Sequence, residues 1–260
     1  MQRATRTAAL LAALAGFLVP GGGAAAQELW LTTSSGEAGP QVRVNFGSPR
    51  ERRVPSRPKL LSLVAITPDA SANLLPEVRP SAPDVPPALV APLPSKPART
   101  LVAATYDSGY WVTLKDGAKR NTSRLMEPEA EAGRWTVRFA KAALGPEAPW
   151  QRVVGHILEI VPLEVPSASA GAIRFRVLFR GRPLAGAAVF YADNSGDLGQ
   201  RQPPASVTDE AGVATVPIRQ PGLQIVSVSH AEDPSLAPAL ADRDDYSATF
   251  AFRLDEATVN

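Results

Sequence analysis

Only His156 and His230 carry an imidazole in this 260-residue chain, and no residue carries a thiol. Any imidazole-ligated metal or imidazole base must therefore use one of those two positions. His230 closes a strand-like run and is followed by Glu232, Asp233, Asp242, Asp244 and Asp245. An imidazole with carboxylates is a donor set suited to a divalent first-row transition metal. The residues thus nominate a site at His230, Asp233, Asp242 and Asp244, formed if the 232–245 connection folds back over the strand end. The competing reading is an acidic, solvated loop whose carboxylates cap turns. His156 lies in VVGHILEIVPL. Strand alternation puts it on the face of Leu158 and Ile160, which reads as a packed core or interface histidine.

Other spacings are weaker. Asp193, Ser195 and Asp197 have the one-three-five oxygen spacing of a calcium loop. The sixth and twelfth positions are Leu198 and Pro204, where glycine and glutamate belong, so a plain turn is expected. Asn121-Thr122-Ser123 fits a glycosylation sequon, read here as chance composition. There is no Gly-x-Ser-x-Gly elbow, no His-Glu-x-x-His and no glycine-rich phosphate loop. Without cysteine, thiol catalysis, Cys-ligated zinc and iron–sulfur clusters are excluded. A non-enzymatic protein is expected.

The first residues read as an export signal. Arg3 and Arg6 precede an apolar run from Ala8 to Val19, too short to span a bilayer as a helix. Pro20 and three glycines break it, and Ala24-Ala25-Ala26 offers small residues for cleavage before Gln27. A periplasmic or secreted protein is expected. The chain has 27 Lys+Arg and 25 Asp+Glu, and removal of residues 1–26 leaves 25 of each. A neutral chain lacks the basic footprint of a nucleic-acid binder. The local run Arg50, Arg52, Arg53, Arg57 and Lys59 is interleaved with prolines and reads as a loop face.

The elements that would position these residues are nearly all strands. Val42, Val44 and Phe46 alternate with Arg43 and Asn45, and Trp135, Val137 and Phe139 with Arg134, Thr136 and Arg138. Leu60 to Ile66 is a continuous apolar strand candidate, and Val153 to Leu163 another. Leu101–Tyr106 and Tyr110–Leu114 flank Asp107-Ser108-Gly109, which predicts a hairpin. Twelve of the 26 prolines fall between Pro49 and Pro97, so 74–97 reads as a long surface connection. Short helices are expected only at Thr122–Ala132 and Lys141–Leu144. Ser167 to Gly171 is a small-residue break, taken as a domain boundary. Beyond it, Ile173, Phe175, Val177 and Phe179 alternate with polar partners. Turns follow at Gly181–Gly186 and Pro221-Gly222, and a hairpin turn at Asp209–Gly212 with glycine where positive φ is needed, a pattern of short strands that indicates a β-sandwich.

Two resemblances attach to these segments. IRFRVLFRGRPLAGAAVFYAD followed by VTDEAGVATVPI resembles the carboxypeptidase-regulatory-like, or B-type, sandwich. Gly181, Pro183, Leu184, Gly186 and Ala187 match its first turn, and Thr208, Asp209 and Gly212 its later one. The whole chain is similar to a bacterial periplasmic family of unknown function often described as a nickel/cobalt uptake component. The matching residues are Glu28-Leu29-Trp30-Leu31, Asp107 to Val112, Phe139-Ala140-Lys141 and Leu158 to Leu163. Gln27 stands where that family usually carries histidine beside the cleavage site, and an amide is a poor ligand for nickel or cobalt.

Together these readings give an all-β protein of two β-sandwich (Ig-like or B-type) domains after a cleaved signal peptide, residues 1–26. The first would span 27–166 with a proline-rich insertion at 74–97, the second 167–256. The resemblance implies an accessory binding protein of envelope transport, with nickel or cobalt as a cargo and a membrane transporter or outer-membrane receptor as partner. The alternative is a structural module that presents strand edges and loops to protein or glycan and holds no metal.

Overall fold

In the computed structural model of the chain, the residues described are 28–36, 39–48, 51–94, 97–166, 171–193, 203–218 and 220–254. The signal-peptide reading, Gln27, most of the Ser167–Gly171 break and the calcium-like run after Asp193 lie outside them.

Among the described residues, eighteen strands are arranged in three sheets. The first half of the chain supplies β1 (Glu28–Gly36), β2 (Gly39–Gly47), β3 (Arg52–Arg53), β4 (Leu60–Ile66), β5 (Ser71–Asn73), β6 (Arg79–Pro80), β7 (Leu89–Pro92), β8 (Leu101–Thr113), β9 (Lys119–Arg120) and β10 (Ala132–Ala143). The second half supplies β11 (Leu158–Pro162), β12 (Ala172–Phe179), β13 (Arg182–Pro183), β14 (Ala188–Asp193), β15 (Ser206–Val207), β16 (Val213–Pro217), β17 (Gly222–Glu232) and β18 (Arg243–Leu254). The central sheet runs β15-β14-β17-β18-β10-β8-β4-β5 with β9 on β8. An outer sheet, β1-β2-β7-β6 with β3 on β2, covers one of its faces. The third sheet, built on β12 with β11, β13 and β16, covers the other.

Period-two alternation explains the layering. On β10, Val137 and Phe139 enter a core shared with Phe175, Val177 and Leu158 of the third sheet. Ala140 and Ala142 enter a second core with Leu29, Trp30 and Leu31 of β1. The small residues on the second face let β1 lie close, and the Thr249 hydroxyl donates to the Leu29 carbonyl at 2.7 Å.

The sheet crosses the break at 167–171. β10 pairs in parallel with β18 over Arg134–Ala142 against Arg243–Ala251. The two halves therefore share their central sheet and its first core. Several sequence expectations are corrected. Residues 101–113 form one strand, not a hairpin, because Asp107-Ser108-Gly109 is a bulge: Val137 pairs with Asp107 and Thr136 with Gly109. The 74–97 segment is more than a surface connection. It contributes β7, which pairs with both β2 and β6 and buries Leu89, Val90 and Ala91. The helical candidates are a series of turns at 122–131 and the end of β10 at 141–143. Alternating Pro and Ala outside regular ladders, and Glu-rich polar runs, imitate linkers and helices when the pairing partner is remote in sequence.

The Asp209–Gly212 turn has the expected left-handed glycine (Gly212, φ +70°), where a Cβ would come 2.8 Å from the Val177 carbonyl oxygen. It does not close a hairpin: β15 pairs with β14 and β16 with β12, so the turn carries the chain from the central sheet to the third.

A buried ion pair ties β11 to β10. Lys141 Nζ lies 2.7 Å from Glu159 Oε1, both side chains being almost fully buried. The Glu159 carboxylate also accepts the backbone N–H groups of Val154, Gly155 and His156, so its lone pairs are occupied.

Candidate functional site

The residues nominated from sequence are separated by their bonds. The 232–245 connection does fold back: the Ser235 N–H donates to the Asp242 carbonyl at 2.8 Å. Its carboxylates then serve the chain. Asp244, 1 % exposed, accepts the Ser235 hydroxyl at 2.6 Å and the Leu236 N–H at 3.0 Å. Asp242 accepts the Gly133 N–H at 2.5 Å and lies 3.5 Å from Arg124. Asp233 is exposed. The His230 ring packs against Phe179, ring centroids 4.3 Å apart, and burial holds its pKa below the usual imidazole value. Among the described residues no group of three or more His, Asp or Glu side chains is arranged to hold a metal ion. The donor set therefore does not fit the divalent metal that the resemblance implies. His156 precedes β11 and stacks on Phe139 at 5.0 Å; burial lowers its pKa to about 4, with Glu159 opposing and Lys141 reinforcing the shift.

The chemistry converges instead in a cleft that His230 borders, without Asp233, Asp242 or Asp244. The face of the central sheet that carries β1 is not fully covered, and beyond the end of β1 it opens into a cleft of about 570 Å³. The outward positions of β10, Arg134, Thr136 and Arg138, form its floor, with Ser229 from β17 and Arg243, Asp245 and Ser247 from β18. Glu28 and Phe46 of the outer sheet make one wall; Tyr106, Ser108 and Trp111 of β8 make another with Lys59.

The bulge builds that second wall. Gly109 takes φ +79°, a conformation that L side chains rarely adopt, and its N–H donates to Asp107 Oδ1 at 2.7 Å. This turns Ser108 into the cleft. Its hydroxyl accepts a hydrogen bond from Arg138, and its carbonyl accepts Lys59 Nζ at 2.8 Å and Trp111 Nε1 at 3.1 Å. Asn121 completes the wall by accepting Lys59 at 2.7 Å and donating to the Tyr110 carbonyl at 2.6 Å.

The electrostatics are uneven. Lys59, Lys119, Arg134, Arg138 and Arg243 face only Glu28 and Asp245. Asp245 is shared by Arg243 at 3.0 Å and Arg134 at 3.6 Å. Glu28 is 6 % exposed, and its Oε2 has no hydrogen-bond partner. Burial raises the Glu28 pKa, against the charge of Arg138 and a hydrogen bond from Ser247. Burial likewise lowers that of Arg138, opposed chiefly by Glu28. A buried carboxylate oxygen without a donor is costly, and such groups concentrate at functional sites.

Sequence reasoning read Arg134, Thr136 and Arg138 only as the alternating partners of an apolar strand face and missed the cleft. The available signal was the pair of arginines at alternate positions on a strand whose other face is aromatic. Glu28, beside a predicted cleavage site, gave none.

The fold and cleft define a class, an all-β protein of stacked sheets with a charged cleft on the central one. The chain belongs to a family described as Domain of unknown function (DUF4198), which matches residues 24–232. No curated protein matches it. Among solved structures, it is similar to a chimeric titin Z1Z2 functionalized with a KLER exogenous peptide from decorin, at 10 % identity over 88 % of this chain and 95 % of that one, TM-score 0.21. It is also similar to the titin domains z1z2 in complex with telethonin, at 10 % identity over 88 % and 94 %, TM-score 0.20.

Proposed function

We propose that the protein is an exported, non-enzymatic binding protein of the cell envelope, which holds a small polar ligand in the cleft and passes it to a membrane transporter or outer-membrane receptor. The observation that carries this is the cleft itself, large enough for a small organic molecule and walled by the buried carboxylate of Glu28, one oxygen of which has no hydrogen-bond partner. The export signal read at residues 1–26 supports the location. Nickel or cobalt as cargo is supported by the end-to-end resemblance and opposed by Asp242 and Asp244, whose carboxylates are already bonded within the chain. We therefore favour an organic ligand over a bare metal ion.

The test is a thermal-shift screen of the processed protein against small metabolites, together with nickel, cobalt, zinc and copper. Ser229 is exposed within the cleft, so Ser229→Trp fills it without entering either core. A compound that raises the melting temperature of wild type but not of Ser229→Trp is the expected result. His230 also borders the cleft, so Ser229→Trp is the discriminating variant: metal-induced stabilisation that persists in it would refute the assignment to the cleft.

A further inference from the structure

We infer that the ligand is a small hydroxylated organic acid, its carboxylate held by Arg138 and Arg134 and a hydroxyl donating to Glu28 Oε2. This rests on the cleft being the ligand site.

Three observations narrow the class. First, five cationic side chains face two carboxylates, so the lining of the cleft carries a formal excess of three positive charges. Such a wall attracts an anion and repels a bare cation. Planar guanidinium groups on Arg134 and Arg138 suit a carboxylate or phosphate. Second, Glu28 Oε2 is buried without a donor. An anion with acceptor atoms alone would set lone pairs against lone pairs there. A ligand that satisfies both ends carries an acidic group and, a few bonds away, a hydrogen-bond donor. Third, Phe46 and Trp111 give the cleft apolar walls, with Lys59 Nζ 5.7 Å from the Trp111 ring centre. A flat indole packs against the C–H face of a carbon skeleton, and the volume exceeds what an inorganic ion fills. Hydroxylated carboxylic acids, sugar acids among them, combine all three properties.

Isothermal titration of the full processed protein with D-gluconate and D-glucuronate tests this, beside glucose, succinate, glutamate, inorganic phosphate and nickel chloride. Gluconate or glucuronate should bind at least tenfold more tightly than glucose, which lacks the charge, and than succinate, which lacks the hydroxyls. Arg138→Gln should weaken both acids at least tenfold. Arg134→Gln, at a more exposed position, serves if melting shows that Arg138→Gln is unfolded. Glu28→Leu should collapse the preference for gluconate over succinate. Equal binding of glucose, or preference for glutamate, phosphate or nickel, overturns the inference. If none of the panel binds but some other compound is blocked by Ser229→Trp, the cleft remains the site and the hydroxy-acid class is wrong. If no compound of any class responds to Ser229→Trp, both fail.

Discussion

At the scale of the residue, the two histidines illustrate how burial sets chemistry. His156 is a rigid, neutral packing element against Phe139. Its pKa falls from 6.5 to about 4 on folding, mainly through desolvation. The unfolded chain therefore binds a proton that the folded one refuses. The stabilisation is complete above pH 6.5 and is lost as pH falls through about 4, amounting to about 3 kcal/mol over that window. His156→Gln, which cannot be protonated, should show a shallower loss of melting temperature between pH 7 and pH 4 than wild type. Parallel curves would show that His156 is not buried in the neutral form. Glu28 is the opposite case, a carboxyl whose ionised form is penalised by burial and relieved by Arg138. The same pair that makes the cleft wall expensive is what makes it selective.

At the scale of the element, the bulge in β8 matters most. A regular strand would continue the alternation past Tyr106 and leave position 108 in the ladder. One extra residue instead turns Ser108 toward Arg138, Lys59 and Trp111. Nothing in that space excludes a side chain at 109, since a Cβ would approach no closer than 3.4 Å to Asn121; the demand is φ +79° alone. Gly109→Ala should cost about 1–2 kcal/mol, read as a fall of a few degrees in melting temperature, and should weaken cleft ligands more than stability requires. Unchanged stability and binding would show that the bulge survives without glycine or does not shape the site. Asp107-Ser108-Gly109 looks the same in sequence whether the chain reverses or bulges. Only the pairing of both flanks with the single strand β10 separates the two.

At the scale of the molecule, the parallel β10–β18 ladder joins the halves. β18 occupies the middle of the central sheet and contributes Tyr246, Ala248, Phe250 and Phe252 to its larger core. The family match ends at residue 232, before this strand begins. A chain cut after 232 would leave edges on both β10 and β17 and open that core. It should be insoluble or lack cooperative melting. A fragment of residues 165–255, which a boundary at 167–171 would make autonomous, should behave similarly, because Val137 and Phe139 would be missing beneath Phe175. Cooperative unfolding of either piece would refute this account of a shared sheet.

Strand class and much of the strand placement were legible in the chain, because alternation of apolar and polar residues is a local property with a period of two. Val42 and Val44, Val137 and Phe139, and Phe175 and Val177 show it directly, as does the glycine at 212 that its turn requires. Partners were not legible. Whether Arg134 and Arg138 face water or a cleft depends on where β1 stops covering the sheet. Whether Asp242 and Asp244 are ligands or loop braces depends on backbone N–H groups at Gly133 and Leu236 reaching them first. Both outcomes follow from long-range packing, which brings residue 28 beside residues 138 and 247. No local pattern encodes that meeting; it exists once the three sheets have closed on their cores.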